Sequence, residues 1–302
     1  MCGIVGLLVK KAALRDQLGE LMVPMLIGMT ERGPDSAGLA VFTEPLPEGE
    51  RKISLYSGLL EEGADFDWLD LAEGVSAQFG VDANIEVKGN HAVLSAAVAP
   101  EPARRWLGEQ YPKLHVLAAG RSIDVYKDTG TPADVAQRYD FSTLRGSHLV
   151  GHTRMATESA VTPDRAHPFT AGEDFCLVHN GSLSNPNSIR RRLEPLGIRF
   201  ETDNDTEAAC RFLEWRMREG DDLETALQKG FDELDGFYTF LMGTQDELAI
   251  IRDAFACKPA VVAETDDYVA IASEFRSLAR LPDVAHANIF EPKPEEMYVW
   301  RI

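Results

Sequence analysis

Met1-Cys2-Gly3-Ile4-Val5-Gly6-Leu7-Leu8-Val9 opens the chain. It is a short apolar run, β-branched enough to read as a buried strand and broken by Gly3 and Gly6. Its second residue carries the chemistry. A methionine followed by a small residue is commonly trimmed, which makes Cys2 the first residue of the mature chain. A terminal cysteine holds nucleophile and base on one residue. Its α-amine titrates at about 7.7–8.0, close to the pH at which a general base works well. The thiol beside it needs such an acceptor to become the attacking thiolate. A retained Met1 would convert that amine into an amide. On the dipeptide alone, Cys2 also reads as a small buried hydrophobe in a first strand, and the rest of the chain has to decide.

Working outward, Leu14, Leu18, Leu21, Met22, Met25, Leu26 and Met29 recur at helical spacing and predict a helix packed on a core. Residues 31–38 form a loop signal that leads into a strand at 39–43. Beyond Leu149, 151–157 reads as strand to loop. Residues 175–178 read as a strand ending in a turn at His179-Asn180-Gly181. Asp203, Asn204 and Asp205 stand where a helix would start, ahead of Ala208, Ala209, Phe212 and Leu213. A second helix carries Leu223, Leu227, Phe231 and Leu234, and strands follow at 237–242, 248–252, 260–263, 268–272 and 297–300. Strands and helices in blocks predict layered α and β elements rather than repeated βαβ units. Between the two halves, 44–147 reads as an α/β insertion, with strands at 92–98 and 114–118 flanking a helix at 102–110. No chemistry is evident in it, and His91 and His115 read as surface or packing residues.

Composition bounds the partners. The 302 residues carry 49 acidic against 30 basic side chains, a net charge of −19. A chain so acidic is repelled by nucleic-acid phosphates and by anionic membrane surfaces. No apolar run reaches the ~18–20 residues that span a bilayer, and the first residues do not read as a signal peptide. Cys2, Cys176, Cys210 and Cys257 are too widely spaced for a zinc or iron–sulfur motif. No metal is expected, a disulfide framework is not read, and the expected compartment is a reducing cytoplasm.

An acyl-transfer site requires an oxyanion hole and a substrate clamp. The Asn180 amide and a backbone N–H beside the unhindered Gly181 could supply the first, although Asn-Gly is equally an ordinary hairpin turn. Arg154 could hold the carboxylate of a free amino acid bidentately and Asp205 its ammonium. Taken singly, each is also a solvated or structural charge.

Together these pieces resemble the class II glutamine amidotransferases, a family of N-terminal-nucleophile hydrolases. The likeness rests on Cys2-Gly3-Ile4-Val5-Gly6, on Arg32-Gly33-Pro34-Asp35-Ser36-Ala37-Gly38 and on Gly151-His152-Thr153-Arg154-Met155-Ala156-Thr157. It continues through Ala166-His167-Pro168-Phe169, His179-Asn180-Gly181, Asp203-Asn204-Asp205-Thr206-Glu207, Arg252-Asp253 with Lys258-Pro259, and Ser273-Glu274, in the family's order and spacing. It covers residues 1 to about 43 and about 149 to 302, so the chain is expected to be one amidotransferase domain, 1–302, interrupted at about 44–147.

The resemblance implies an α+β fold, a four-layer αββα sandwich with an α/β insertion. It implies that Cys2 attacks the side-chain amide of L-glutamine and that Asn180 and Gly181 stabilise the oxyanion. Arg154 would bind the α-carboxylate and Asp205 the α-amine. Thr157 and His167 would line the pocket, and Arg32 would order the loop beside the nucleophile. A γ-glutamyl thioester and ammonia result, and water then releases glutamate. Met155 and Glu158 depart from the aromatic residue and histidine common in the family, and Arg252-Asp253-Ala254-Phe255-Ala256-Cys257-Lys258-Pro259-Ala260 departs from its usual loop. No acceptor domain is recognised in the sequence. The resemblance therefore implies a glutaminase subunit that supplies a separate synthase subunit. Residues 25–38 and 151–159 are most similar to glutamate-synthase-like amidotransferase subunits, in particular that of N-methylglutamate synthase. FMN and iron–sulfur centres would then belong to the partner, with no cofactor in this chain. An N-terminal-nucleophile hydrolase of another amide and a non-catalytic regulatory subunit are the alternatives.

Overall fold

Side chains alternate between the faces of a strand, and in the first strand, β1 (Gly3–Val9), every residue is buried. Val5, Leu7 and Val9 enter a core shared with α1 (Leu18–Ile27), whereas Ile4 and Leu8 enter a second core on the opposite face. A strand buried on both sides needs a layer on each. The computed structural model, which describes residues 2–58, 66–155 and 162–302, shows how those layers are supplied.

In chain order the elements continue with β2 (Ser36–Phe42), β3 (Arg51–Tyr56), α2 (Trp68–Phe79), β4 (Ala83–Lys88), β5 (His91–Ala96), α3 (Pro100–Gln110), β6 (His115–Gly120), β7 (Ile123–Thr129) and α4 (Pro132–Arg138). There follow β8 (His148–Arg154), β9 (Phe169–Thr170), β10 (Cys176–Leu183), α5 (Pro186–Leu193), α6 (Asp205–Arg218), α7 (Leu223–Glu233), β11 (Gly236–Gly243), β12 (Glu247–Arg252), β13 (Val261–Glu264), β14 (Tyr268–Ala272), β15 (Asn288–Phe290) and β16 (Met297–Arg301). One sheet has the order β15-β13-β14-β1-β8-β2-β7 and a second β16-β12-β11-β10-β9. α1 and α4 cover the outer face of the first sheet, and α5, α6 and α7 that of the second. Ile4, Leu8, Phe42, Val150, Val178, Leu241 and Ile271 fill the space between the sheets. The result is an αββα sandwich of four layers. Gly6 shares the inner face of β1 with Ile4 and Leu8, and a Cβ there would lie 2.9 Å from Leu241 Cδ2. Its bare backbone is what lets the sheets approach at this point.

The stretch 44–147 serves two structures. β4-β5-β3-β6 form a third sheet, packed with α2 and α3 around Ile53, Leu55, Leu71, Val75, Leu94 and Leu107. β7, however, pairs with β2 from Ser36↔Thr129 to Phe42↔Ile123 and so completes an edge of the first sheet. The turn into β7 is held by Asp174, whose carboxylate accepts the backbone N–H groups of Arg121, Ser122 and Ile123 at 2.7–3.0 Å. β5, α3 and β6 lie close to the expected pieces at 92–98, 102–110 and 114–118. His91 is fully buried against the rings of Tyr56, Tyr126 and Tyr139, and His115 is exposed.

Antiparallel register brings the start of β1 level with the ends of β8 and β14: Gly3 faces Thr153, and Val5 faces Ala272. The motif residues of these strands therefore collect at one end of the sandwich. Among the described residues no helix is long and apolar enough to cross a membrane.

Candidate active site

Cys2 precedes Gly3, and Gly3 lies opposite Thr153, so the cysteine stands beside the end of β8, where Arg154 lies. It is partly buried. Its backbone is fixed from two directions. Arg32 Nε donates to the Cys2 carbonyl at 3.0 Å, and Arg32 Nη1 donates to Glu274 Oε1 at 3.1 Å. The other Glu274 oxygen pairs with Arg276 Nε at 2.7 Å. The Ile4 N–H donates to Ser273 Oγ at 3.0 Å, and the Ser273 N–H returns a bond to the Ile4 carbonyl. A residue placed directly before a central strand and tied this way through its backbone has little freedom to wander, which is what a positioned nucleophile requires.

Cys176, Val178 and Asn180 share one face of β10, and the first two belong to the inter-sheet core. Asn180 is thereby aimed towards the first sheet. It is only 3% exposed, and its Nδ2 has no hydrogen-bond partner among the described residues. β9 pairs only with Cys176 and Leu177, so beyond them this edge of β10 has no strand neighbour among the described residues. The His179 carbonyl is met instead by His152 Nε2, which donates at 3.1 Å. His152 lies opposite Ile4. One bond between the sheets thus ties the strand bearing Asn180 to the strand pair bearing Cys2 and Arg154. Burial pushes His152 down to about 3, only partly offset by the bond to His179, so the ring is neutral with its proton on Nε2.

The turn expected at His179-Asn180-Gly181 is not formed. β10 runs on to Leu183, and its ladder with β11 pairs Asn180 with Thr239 and Gly181 with Tyr238. Local turn preference yields here to a full-length strand partner. The glycine is nonetheless obligatory. Gly181 has φ +145°, and a Cβ would lie 2.1 Å from the Phe237 carbonyl oxygen. Asp253 supports this pairing by accepting the N–H groups of Tyr238 and Phe255 at 3.0 and 2.8 Å.

Arg154 and Asp205 are linked through a loop. Arg154 Nη1 donates to the Arg165 carbonyl at 3.3 Å, and Arg165 Nη1 pairs with Asp203 Oδ1 at 3.2 Å. Asp205, the first residue of α6, accepts the Leu183 N–H at 2.9 Å and lies 3.7 Å from His179 Nδ1. Burial raises the Asp205 carboxyl, but the bonds and charge of His179 and the N–H groups of Leu183 and Thr206 outweigh it, leaving the group below the ordinary carboxylate range. It is an ionised acceptor at the helix N-terminus. The Thr206 hydroxyl meets His167 Nε2 at 2.8 Å and His179 Nδ1 at 3.1 Å, and the His152 and His167 rings stack at 4.0 Å. His167 Nδ1, His179 Nε2 and Asn180 Nδ2 are all buried without a hydrogen-bond partner among the described residues. Such atoms are rare and cost about 1–3 kcal/mol each unless a polar ligand or water answers them.

Cys2, Arg32, Arg154, His167, Asn180, Gly181 and Asp205 therefore lie on elements that meet at one end of the sandwich. Thr157 and Glu158 lie outside the described residues. Sequence reasoning assigned no role to His152, His179 or Thr206. For His152 the signal was an alternation in β8, where His148, Val150, His152 and Arg154 share a face; that it meets His179, on β10, becomes visible only once the two sheets are stacked. No group of three or more metal-ligating side chains forms among the described residues.

Four buried histidines make stability depend on pH. Burial pushes His91, His148 and His152 down to about 3 and His167 well below its ordinary value. The unfolded chain binds protons at these sites as pH falls through about 6.5, whereas the folded chain does not, so folding is penalised from there downwards. Each contributes about 1.4 kcal/mol per pH unit until its folded value is reached. The denaturant midpoint is expected to fall steeply between pH 7.5 and 5.5, above the window in which Asp205 protonates. An unchanged midpoint across that interval would contradict neutral buried histidines.

Comparison with known proteins adds four findings. A model of a glutamine amidotransferase domain matches residues 152–280, a span that holds Arg154, His167, Asn180, Gly181 and Asp205. The glutamine amidotransferase-like protein GlxB of Rhizobium meliloti is 50% identical over 99% of this chain and 98% of its own length. A putative glutamine amidotransferase of Methanothermobacter thermautotrophicus is 32% identical over 99% of both. The solved glutamine phosphoribosylpyrophosphate amidotransferase from B. subtilis superposes with a TM-score of 0.62 at 20% identity, covering 99% of this chain and 47% of that one. This last likeness establishes the fold as that of the N-terminal-nucleophile amidotransferases.

Proposed function

Because the chain belongs to the glutamine amidotransferase family as an enzyme of class II, we propose that Cys2 hydrolyses L-glutamine to glutamate and ammonia and that the ammonia passes to a separate synthase subunit. Removal of Met1 frees the α-amine, which takes the thiol proton. The thiolate attacks the side-chain carbonyl carbon of glutamine, and Asn180 Nδ2 with the Gly181 N–H stabilises the oxyanion. The tetrahedral intermediate expels ammonia, protonated by the α-ammonium, and leaves a γ-glutamyl thioester. Water, deprotonated by the same amine, releases glutamate and restores the thiol. Arg154 holds the α-carboxylate and Asp205 the α-ammonium of the substrate. Thr157 and His167 line the pocket, and Arg32 fixes the backbone of Cys2.

The observation that carries this reading is the unpartnered, buried Asn180 amide, delivered to the Cys2 side of the sandwich by the bond from His152 to the His179 carbonyl. The first test is the intact mass of the purified protein. It should be lower than the encoded mass by one methionine residue; an active enzyme that retains Met1 would defeat the role given to the amine.

The proposal of a separate acceptor draws on the length of the relatives. Two are matched along nearly their whole length, whereas the same fold occupies 47% of the phosphoribosylpyrophosphate amidotransferase chain. Relatives of this length favour an acceptor on a second polypeptide, of the N-methylglutamate synthase or glutamate-synthase-like type, with flavin and iron–sulfur chemistry there. Co-purification from the native host, followed by ammonia transfer from labelled glutamine, tests the pairing; a complex lacking any synthase-type subunit would contradict it.

A further inference from the structure

Between the inserted sheet and the helical layer of α6 lies a cavity of about 130 Å³ that the proposed chemistry does not use. Arg104 of α3, Lys127 of β7 and Arg211 of α6 face it, with His115, Glu201 and Glu207. Their charges are unevenly answered. Lys127 Nζ donates to the Ala166 and Pro168 carbonyls at 2.9 and 3.3 Å. The Glu207 carboxylate is occupied by the backbone N–H groups of Glu201 and Thr202 and by the Thr202 hydroxyl, at 2.7–2.8 Å. It reaches Arg211 Nη2 only at 3.5 Å, and Glu201 reaches the same nitrogen at 3.4 Å. Arg211 Nε is buried and has no hydrogen-bond partner among the described residues. Arg104 makes no hydrogen bond and no ion pair among the described residues. Burial draws its pKa down, Glu201 offsets this in part, and the charge of Arg211 lowers it further.

Two guanidinium groups on one cavity repel each other, and leaving one unanswered in partly buried surroundings is costly. In a chain of net charge −19 this local excess of cations is unusual. We infer that Arg104 and Arg211 bind a phosphate group, either inorganic phosphate or a phosphate monoester, at the seam between the insertion and the amidotransferase sandwich. The volume is about four waters' worth, enough for a tetrahedral oxyanion. Guanidinium forks match phosphate oxygens bidentately. A carboxylate offers two oxygens, too few to serve both forks, and the two glutamates already present leave Arg211 Nε unanswered. The site adjoins the loop at 201–204, so its occupant also stiffens the approach to α6.

Titration calorimetry of the full chain at low ionic strength tests this, with inorganic phosphate and glycerol phosphate as probes. Saturable binding is expected, and Arg104→Gln should weaken it at least about tenfold. Arg104 has no hydrogen bond or ion pair to lose among the described residues, so the substitution should leave the phosphate-free melting temperature unchanged. Phosphate should also slow amide hydrogen exchange at 201–204 in the parent and not in R104Q. Tighter binding of one probe identifies the natural source. No saturable binding of either probe, equal affinity in R104Q, or equally tight binding of acetate would overturn the assignment.

Discussion

Cys2→Ala is expected to reduce glutamate release from glutamine by on the order of 10⁵- to 10⁶-fold, the scale on which removal of a nucleophile collapses a covalent mechanism. The loss should fall on kcat. The proposed substrate clamp, Arg154 and Asp205, is left in place by the substitution, so glutamine should still raise the melting temperature of the variant. Folding should be little affected, because Cys2 precedes β1 and its structural contact is made by a backbone carbonyl that alanine retains. A steady-state assay with a melting control checks both halves. Undiminished glutamate release would remove the nucleophile from the mechanism, and loss of glutamine-induced stabilisation would place the binding role elsewhere.

The second large effect belongs to Asn180. Asn180→Ala is expected to lower kcat about 10²- to 10³-fold with KM for glutamine little changed, because the oxyanion exists only beyond the ground state. The amide that would be lost makes no hydrogen bond through Nδ2 among the described residues. Truncation therefore abandons no partner there, and the melting temperature should move little. A rise in KM with kcat preserved would mean that Asn180 binds the substrate itself and not the developing charge. The same steady-state comparison, run beside the Cys2 variant, separates the two outcomes.

Much of this architecture was legible in the chain because its signals are local. The apolar run at 2–9, the Leu/Met stripe at 14–29 and the strands from 237 onwards follow period and length, and each corresponds to an element of the sandwich. Asn180-Gly181 shows where local signals mislead. The dipeptide favours a turn, yet eight residues of β11 pair with β10 across it. The insertion was harder for a related reason. β7 owes its place to β2, which lies about 80 residues or more earlier in the chain, through the ladder that runs from Ser36↔Thr129 to Phe42↔Ile123. No periodicity within 44–147 announces such a partner. The histidine network is the extreme case: His152, His179 and Thr206 sit on three elements, and only their stacking makes the bonds at 2.8–3.1 Å.

The most direct measurement is to inactivate the enzyme with an electrophilic ketone analogue of glutamine and locate the adduct by peptide mass spectrometry. One adduct is expected, on the sulfur of a Cys2 whose α-amine is free, rising in proportion to lost activity and prevented by glutamine. Cys176 and Cys210 are buried, so Cys257, which is exposed, is the natural competitor for the reagent. Inactivation that tracks modification of Cys257 or any other side chain, with Cys2 unmodified, would contradict the N-terminal nucleophile.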